Sequence, residues 1–167
     1  MELYLVRHGI ALDVGQEGIT RDSDRPLSRE GRQKTTEVAA ALKAIGVRPD
    51  AIAASPLVRA RETARILADG LCPDAPVEVC DALQPGAEPA EFVVWLRRLS
   101  ARTVLAVGHV PDLVELTSVL LSGKPGSDFV FKKATVCCVV FEHEVVAGHG
   151  SLAWLMQPDH LRALRHS

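Results

Sequence analysis

Leu3-Tyr4-Leu5-Val6-Arg7-His8-Gly9 runs four apolar residues directly into an arginine, a histidine and a glycine. A short continuous apolar run that ends on polar residues predicts a buried strand, and the residues after it fall at the strand's carboxyl end. Working outward, segments of helical period alternate with further short apolar runs. Ser28 reads as the N-cap of a helix carrying Thr35, Val38, Leu42 and Ile45, with Gly46 where a left-handed C-terminal residue belongs. Ala51 to Ala54 is a second strand ending at Ser55-Pro56. Pro56 opens a helix with Arg59, Ala60, Ala64 and Leu67, which Gly70 closes.

Val77-Glu78-Val79 is a weak third strand, and Glu88 to Leu99 forms an amphipathic helix through Phe92, Trp95, Leu96 and Leu99. Thr103 to Val107 is a strong fourth strand that runs through Gly108-His109-Val110 into a helix starting at Pro111-Asp112 and ending at Gly123. Val136 to Phe141 and Leu152 to Leu155 are two late strands, with Gly148-His149-Gly150 as the turn region of a hairpin. This order predicts an α/β fold: a three-layer α/β/α sandwich with a mostly parallel central sheet and a late antiparallel hairpin. Residues 1–167 read as one domain, with no internal repeat and no linker.

The composition agrees. The 167 residues are 47% hydrophobic and 24% charged, enough to bury a sizeable core, and 12 glycines with 10 prolines exclude collagen-like and low-complexity chains. Nineteen Lys+Arg against 21 Asp+Glu leave a net charge of −2. No bulk field draws nucleic acid or anionic lipid, so any attraction for an anion is local. The longest apolar run, Ala134 to Phe141, falls far short of the roughly 20 residues of a membrane helix. No secretory signal is visible, so the cytoplasm is the expected location. Cys72, Cys80, Cys137 and Cys138 form no C-x-x-C pair and read as reduced core thiols.

In an open parallel sheet the ligand crevice lies beyond the carboxyl ends of the strands. Arg7-His8-Gly9 follow the first strand, Ser55-Pro56 and then Arg59 the second, and Gly108-His109 the fourth. Two histidines and two arginines are therefore expected on one edge. A neutral imidazole attacks phosphorus competently, but a phosphoryl group carries nearly two negative charges and needs cationic donors around its oxygens. Arg7 and Arg59 supply planar forks, and the helix start near Pro56 adds a positive dipole end. His109, protonated by the dianion, is a third cation, while the arginines keep His8 neutral and nucleophilic. Gly9 lets the backbone pass close to a bound phosphate.

These pieces resemble the histidine phosphatase superfamily, the phosphoglycerate mutase-like proteins, whose members share an Arg-His-Gly triplet after the first strand. Asp24-Arg25-Pro26-Leu27-Ser28-Arg29-Glu30-Gly31-Arg32-Gln33 is similar to the family's Pro-Leu-Ser/Thr-x-x-Gly stretch. Ser55-Pro56-Leu57-Val58-Arg59-Ala60-Arg61-Glu62-Thr63-Ala64 resembles its Ser-Pro-x-x-Arg-x-x-x-Thr element, and Gly108-His109 its second catalytic histidine. Small size, Trp154 and the tail from Pro158 to Leu164 look most like the short SixA-type phosphohistidine phosphatases. The resemblance implies that His8 takes the phosphoryl group and water later removes it, with Arg7, Arg59 and His109 forming the phosphate pocket.

One departure from the family bears on substrate. Many members that cleave phosphate esters place a glutamate after the third strand as general acid, and here the matching stretch is Asp81-Ala82-Leu83-Gln84-Pro85-Gly86. An alkoxide needs a proton as it leaves, whereas an imidazole of pKa about 6.5 departs far more readily. The site therefore suits phosphohistidine on another protein, a histidine phosphotransfer domain or phosphocarrier, with small sugar or glycerate phosphates as the alternative. Whether Asp81, Glu88 or Glu91 donates a proton stays open, as does the protonation of His109.

Other residues read more plainly. Ser55 is a candidate phosphate donor, although the turn before Pro56 explains it equally. Arg21 and Arg25 belong to a polar loop, Arg61 and Arg65 to a solvated helix face, and His143, His149, His160 and His166 to exposed positions. No cofactor is called for. A metallohydrolase is a rival class, but no His-x-x-x-His, His-x-Asp or carboxylate cluster accompanies His8 or His109. A phosphoprotein-binding module without turnover is a third reading. No nucleotide-binding motif occurs. The oligomeric state stays open, with a monomer allowed.

Overall fold

Alternation of side chains along the strands divides the interior into two cores, one on each face of a six-stranded sheet. In the computed structural model, which describes residues 1–126 and 128–164, the strands are β1 (Glu2–Arg7), β2 (Ala51–Ala54), β3 (Val77–Val79), β4 (Thr103–Gly108), β5 (Val136–Val140) and β6 (Ser151–Met156). Their order in the sheet is β3-β2-β4-β1-β5-β6. β1 pairs with β4, β4 with β2 and β2 with β3 in parallel, whereas β5 runs antiparallel to both β1 and β6. Tyr4 and Val6 face one core with helices α1 (Arg29–Ala44), α2 (Val58–Leu71) and α5 (Pro158–Ala163). Leu3 and Leu5 face the other, against α3 (Pro89–Arg97) and α4 (Asp112–Ser122). The result is the three-layer α/β arrangement expected from the element order.

Several boundaries differ from the sequence reading, each for a local reason. α2 begins at Val58 with Leu57 as its N-cap, so Ser55-Pro56 belong to the turn and not to the helix. Gly70 lies inside α2, where a Cβ would stand 2.8 Å from the Ala39 Cβ; its role is close packing of α2 on α1 rather than termination. Ile45 is the C-cap of α1 and exposed, not part of its buried stripe. β5 and β6 do pair antiparallel, but residues 141–150 join them as a long connection in which Gly148 packs on Gly123. Ser28 caps α1 as expected, its Oγ accepting from the Gly31 N–H at 3.0 Å. All four cysteines are free thiols, and Cys137 and Cys138 point into opposite cores. Among the described residues no helix is long and apolar enough to cross a membrane.

The register carries the candidate site residues to one edge. Arg7 stands opposite Gly108, and the His8 N–H donates to the Gly108 carbonyl at 3.1 Å, so His8 and His109 leave adjacent strands side by side. Ser55 N–H donates to Val107 O, which sets the second strand's end beside them. Because β5 is antiparallel to β1, the residues that precede it arrive at this same edge.

Gly31 ties the first helix to the loop after β1. Ser28 N–H donates to Ile10 O, and a Cβ on Gly31 would stand 1.9 Å from that oxygen. A helix-interior Gly→Ala change ordinarily gains about 1 kcal/mol from propensity. Here the clash reverses the sign: Gly31→Ala is expected to lose about 1–3 kcal/mol in urea denaturation, and a stabilised variant would contradict the close approach.

Candidate active site

The edge just described holds a cleft of about 480 Å³ lined by Arg7, His8, Asp22, Arg25, Arg59, Pro85, Gly86, His109, Val110, Pro111, Asp112 and Lys133. His8 is buried and its ring orientation is set by one hydrogen bond. Nδ1 lies 2.8 Å from the Gly9 carbonyl oxygen, and since a carbonyl only accepts, Nδ1 carries the proton and donates. Nε2 is left with its lone pair. Arg59 Nε and Lys133 Nζ each stand 3.3 Å from that nitrogen.

Burial pushes the His8 imidazole down to about 2, with Lys133 the next cause and His109 and Arg59 following, against the opposing hydrogen bond to Gly9. Desolvation, more than the arginines, keeps this ring neutral. His109, whose ring centroid lies 5.0 Å from that of His8, is pushed down to about 4 by burial first, then by Arg59, Lys133 and Arg7, with Asp22 opposing. It is a neutral ring by itself, and only an added anion would make it the third cation. Its Nε2 meets Ser55 Oγ at 2.8 Å, while Nδ1 is buried without a partner among the described residues.

Arg7 donates from Nη1 to Phe131 O at 2.6 Å, and its buried Nε has no partner among the described residues. Arg59 enters from the first turn of α2. Its Nη1 donates to Asp22 O at 2.7 Å and its Nη2 to Asp22 Oδ2 at 3.0 Å, so a 3-10 turn at Asp22–Asp24 orients the guanidinium. Asp22 is held below the usual carboxylate range chiefly by hydrogen bonding from Arg25 and then Arg59.

The structure thus brings Arg7, His8, Arg59 and His109 to one cleft, and sets two other candidates behind its wall. Ser55 is fully buried and touches His109 rather than the cleft. Gly9 donates its N–H to Thr63 Oγ1 at 3.0 Å, and a Cβ there would meet Thr35 Oγ1 at 2.6 Å. Packing of the turn after β1 against α1 and α2 by itself requires a glycine here. Asp81, Glu88 and Glu91 are exposed and do not line the cleft, whereas Asp112, with Oδ1 accepting from Gly86 N–H, does.

Arg25 is more than a solvated loop residue: its guanidinium gathers Leu12 O, Asp22 and Asp13 and fastens the loop that carries Asp22. Arg21, Arg61, Arg65, His143, His149 and His160 are exposed; His166 lies outside the described residues. Lys133 was missed because only residues after strands were considered. The signal was present in the neighbouring strand's direction, since an antiparallel strand delivers the residues before it.

Among the described residues no group of three or more His, Cys, Asp or Glu side chains is placed to hold a metal ion. Comparison with known proteins gives the family and the fold. Residues 3–85 match the model of the histidine phosphatase superfamily (branch 1). An uncharacterized protein of Picosynechococcus sp. is 39% identical over 81% of this chain and 82% of its own length. Phosphohistidine phosphatase SixA of Escherichia coli is 27% identical over 97% of both chains. A solved SixA complexed with tungstate superimposes with a TM-score of 0.83 at 27% identity, covering 96% of this chain and 99% of the other. A phosphoserine phosphatase of Entamoeba histolytica, at 19% identity and a TM-score of 0.69, shares the fold.

The depressed imidazoles make stability depend on pH in a definite direction. Below about 6.5 the unfolded chain binds protons on its histidines, while folded His8 and His109 refuse them down to about 2 and about 4. The unfolded state then holds more protons, so stability falls as pH is lowered from about 6.5, by at most about 1.4 kcal/mol per pH unit for each ring. The urea midpoint is expected to drop between pH 7 and pH 4.5, and His8→Asn with His109→Asn should flatten that drop. Equal slopes in parent and double variant would refute the neutral rings.

Proposed function

The chain belongs to the histidine phosphatase superfamily, and on that premise we propose that it removes the phosphoryl group from a phosphorylated histidine of a partner protein, carrying it transiently on His8. The chain is a phosphatase homologous over its length to SixA. One observation carries the proposed chemistry: the His8 Nε2 lone pair is exposed to the cleft by the Nδ1–Gly9 bond and faced by cationic donors at 3.3 Å.

In the first step the Nε2 lone pair forms a bond to phosphorus as the P–N bond breaks on a substrate ring protonated at its other nitrogen, so the electron pair leaves on a neutral imidazole. In the second, water oxygen bonds to phosphorus, the pair returns to Nε2, and phosphate departs. Over the cycle the hydroxyl of water ends on phosphorus and its remaining proton on the released phosphate or solvent. Arg7 and Arg59 offset the charge on the phosphoryl oxygens. A dianion beside His109 raises its proton affinity, converting a neutral ring into a donor, and Ser55 positions that ring. No step requires a metal ion.

Three features support phosphohistidine. Gln84 and its neighbours offer no carboxylate to the cleft, the rim residues Asp22, Pro85, Gly86 and Pro111 are exposed enough for a protein-borne side chain to enter, and the full-length relative is a phosphohistidine phosphatase. Asp22 and Asp112 favour a second reading, small phosphate monoesters, since either carboxylate stands in the cleft. Both are engaged, Asp22 by Arg59 and Arg25 and Asp112 by Gly86 N–H, which weakens them as proton donors.

A histidine-phosphorylated carrier protein is expected to be hydrolysed with kcat/KM about 100-fold or more above that for a sugar phosphate. Comparable turnover of the sugar phosphate would overturn the substrate assignment. Radiolabelled phosphate should be trapped on the enzyme by quenching in alkaline detergent, which preserves an acid-labile phosphoramidate, and His8→Ala should abolish the label and lower kcat about 10³-fold or more. Activity should survive EDTA; its loss would redirect the reading to a metallohydrolase.

A further inference from the structure

We propose that Lys133 is a catalytic member of the phosphoryl pocket, donating to an oxygen of the transferred group beside the attacking nitrogen of His8. The inference deepens the reading of His8 as nucleophile and rests on it. Lys133 reaches the site through the antiparallel strand. β5 pairs Val136 with Val6, so the chain just before it crosses the end of β1.

The segment is fastened on both sides. Arg7 Nη1 donates to Phe131 O, Arg7 N–H to Thr135 O, and Ala134 N–H to the carbonyls of Arg7 and His8 at 3.1 and 3.3 Å. From the other side Gln157 Nε2 donates to Val130 O, while its Oε1 accepts from Lys132 N–H and Thr135 Oγ1. Ala134 takes a positive φ of 64°, a conformation an alanine seldom adopts unless its surroundings impose it. The ammonium group is therefore held over the cleft by a braced loop.

Its electrostatic surroundings ask for an anion. Lys133 is half-buried and faces His8 and Arg7 from the end of β1, Arg59 from α2, His109 after β4, and Arg25 and Asp13 from the loop after β1. The nearby carboxylates are taken by arginines: Asp13 by Arg25, and Asp22 by Arg25 and Arg59. Among the described residues no carboxylate pairs with Lys133. Burial first, and then Arg7, Arg59 and Arg25, lower its ammonium to about 8. A phosphoryl dianion relieves that crowding.

Geometry selects the role. In an in-line displacement the leaving atom lies opposite the nucleophile, roughly 5 Å from it, with the three non-bridging oxygens around the axis between them. A donor 3.3 Å from Nε2 lies on the nucleophile's side and meets one of those oxygens, not the leaving group. Below about pH 8 Lys133 thus supplies a third cation, beside Arg7 and Arg59, that neutral His109 does not.

Lys133→Met is expected to weaken orthovanadate binding, followed by calorimetry, about 10-fold or more and to lower kcat/KM about 100-fold. Lys133→Arg should recover both to within about fivefold, because it keeps the charge. In the parent, kcat/KM should fall on the alkaline side with a midpoint near 8, and Lys133→Arg should move that limb above about 9.5. A Met variant within about threefold of the parent in both measurements, or an Arg variant that folds to the same melting temperature yet rescues neither, would overturn the assignment. Lys133→Gln reads the same quantities if the Met variant is unstable. Vanadate binding separates the two readings: weakened binding in Lys133→Met with label still trapped in His8→Ala would leave Lys133 in the pocket and remove His8 as nucleophile.

Discussion

The parallel pairing of β1 with β4 is the constraint from which the site follows. In that register Arg7 lies opposite Gly108, and one backbone hydrogen bond, from His8 N–H to Gly108 O, joins the residues at which both strands end. Two imidazoles separated by a hundred positions of chain come within 5.0 Å between ring centroids as a direct consequence. A register slip of one residue would send His8 to the opposite face of the sheet and bury the wrong half of the strand's apolar side chains. Core packing and site assembly are thus enforced by the same ladder.

Around that ladder the protein concentrates positive charge in a cleft whose histidines stay neutral. The combination is not contradictory: burial lowers both rings directly, and nearby guanidinium and ammonium groups add to the effect. A neutral imidazole with one nitrogen committed to a carbonyl has a single available lone pair, aimed where cationic donors converge. In the proposed mechanism charge and nucleophilicity come from different residues, and the loop bearing Asp22 and Arg25 keeps Arg59 in place to supply its share.

How much of this was legible varied with how local its cause was. The Ser28 cap, strand β1 and the break at Gly123 depend on neighbouring residues, and the sequence reading matched them. Gly31, Gly9 and Gly70 stood out as glycines, but the atoms that require them, Ile10 O, Thr35 Oγ1 and Ala39 Cβ, belong to segments 21, 26 and 31 positions away in sequence, or 31−10, 35−9 and 70−39. Ser55 looked like a phosphate donor because its place at a strand end was visible and its 2.8 Å contact with His109 was not. Lys133 escaped notice because the direction of β5 was left to the late hairpin alone, without its pairing to β1.

By itself the amino-acid sequence determined the alternation of strands and helices, the two buried faces of the sheet and the identity of the arginines and histidines at strand ends, because periodicity and capping act over one or two turns of chain. Only the tertiary structure decided which nitrogen of His8 holds its lone pair, that His109 is neutral, that Ser55 and Gly9 stand behind the cleft, and that Lys133 stands within it. Those properties arise from burial and from distances between groups far apart in the chain, and such distances exist only once the strands have paired.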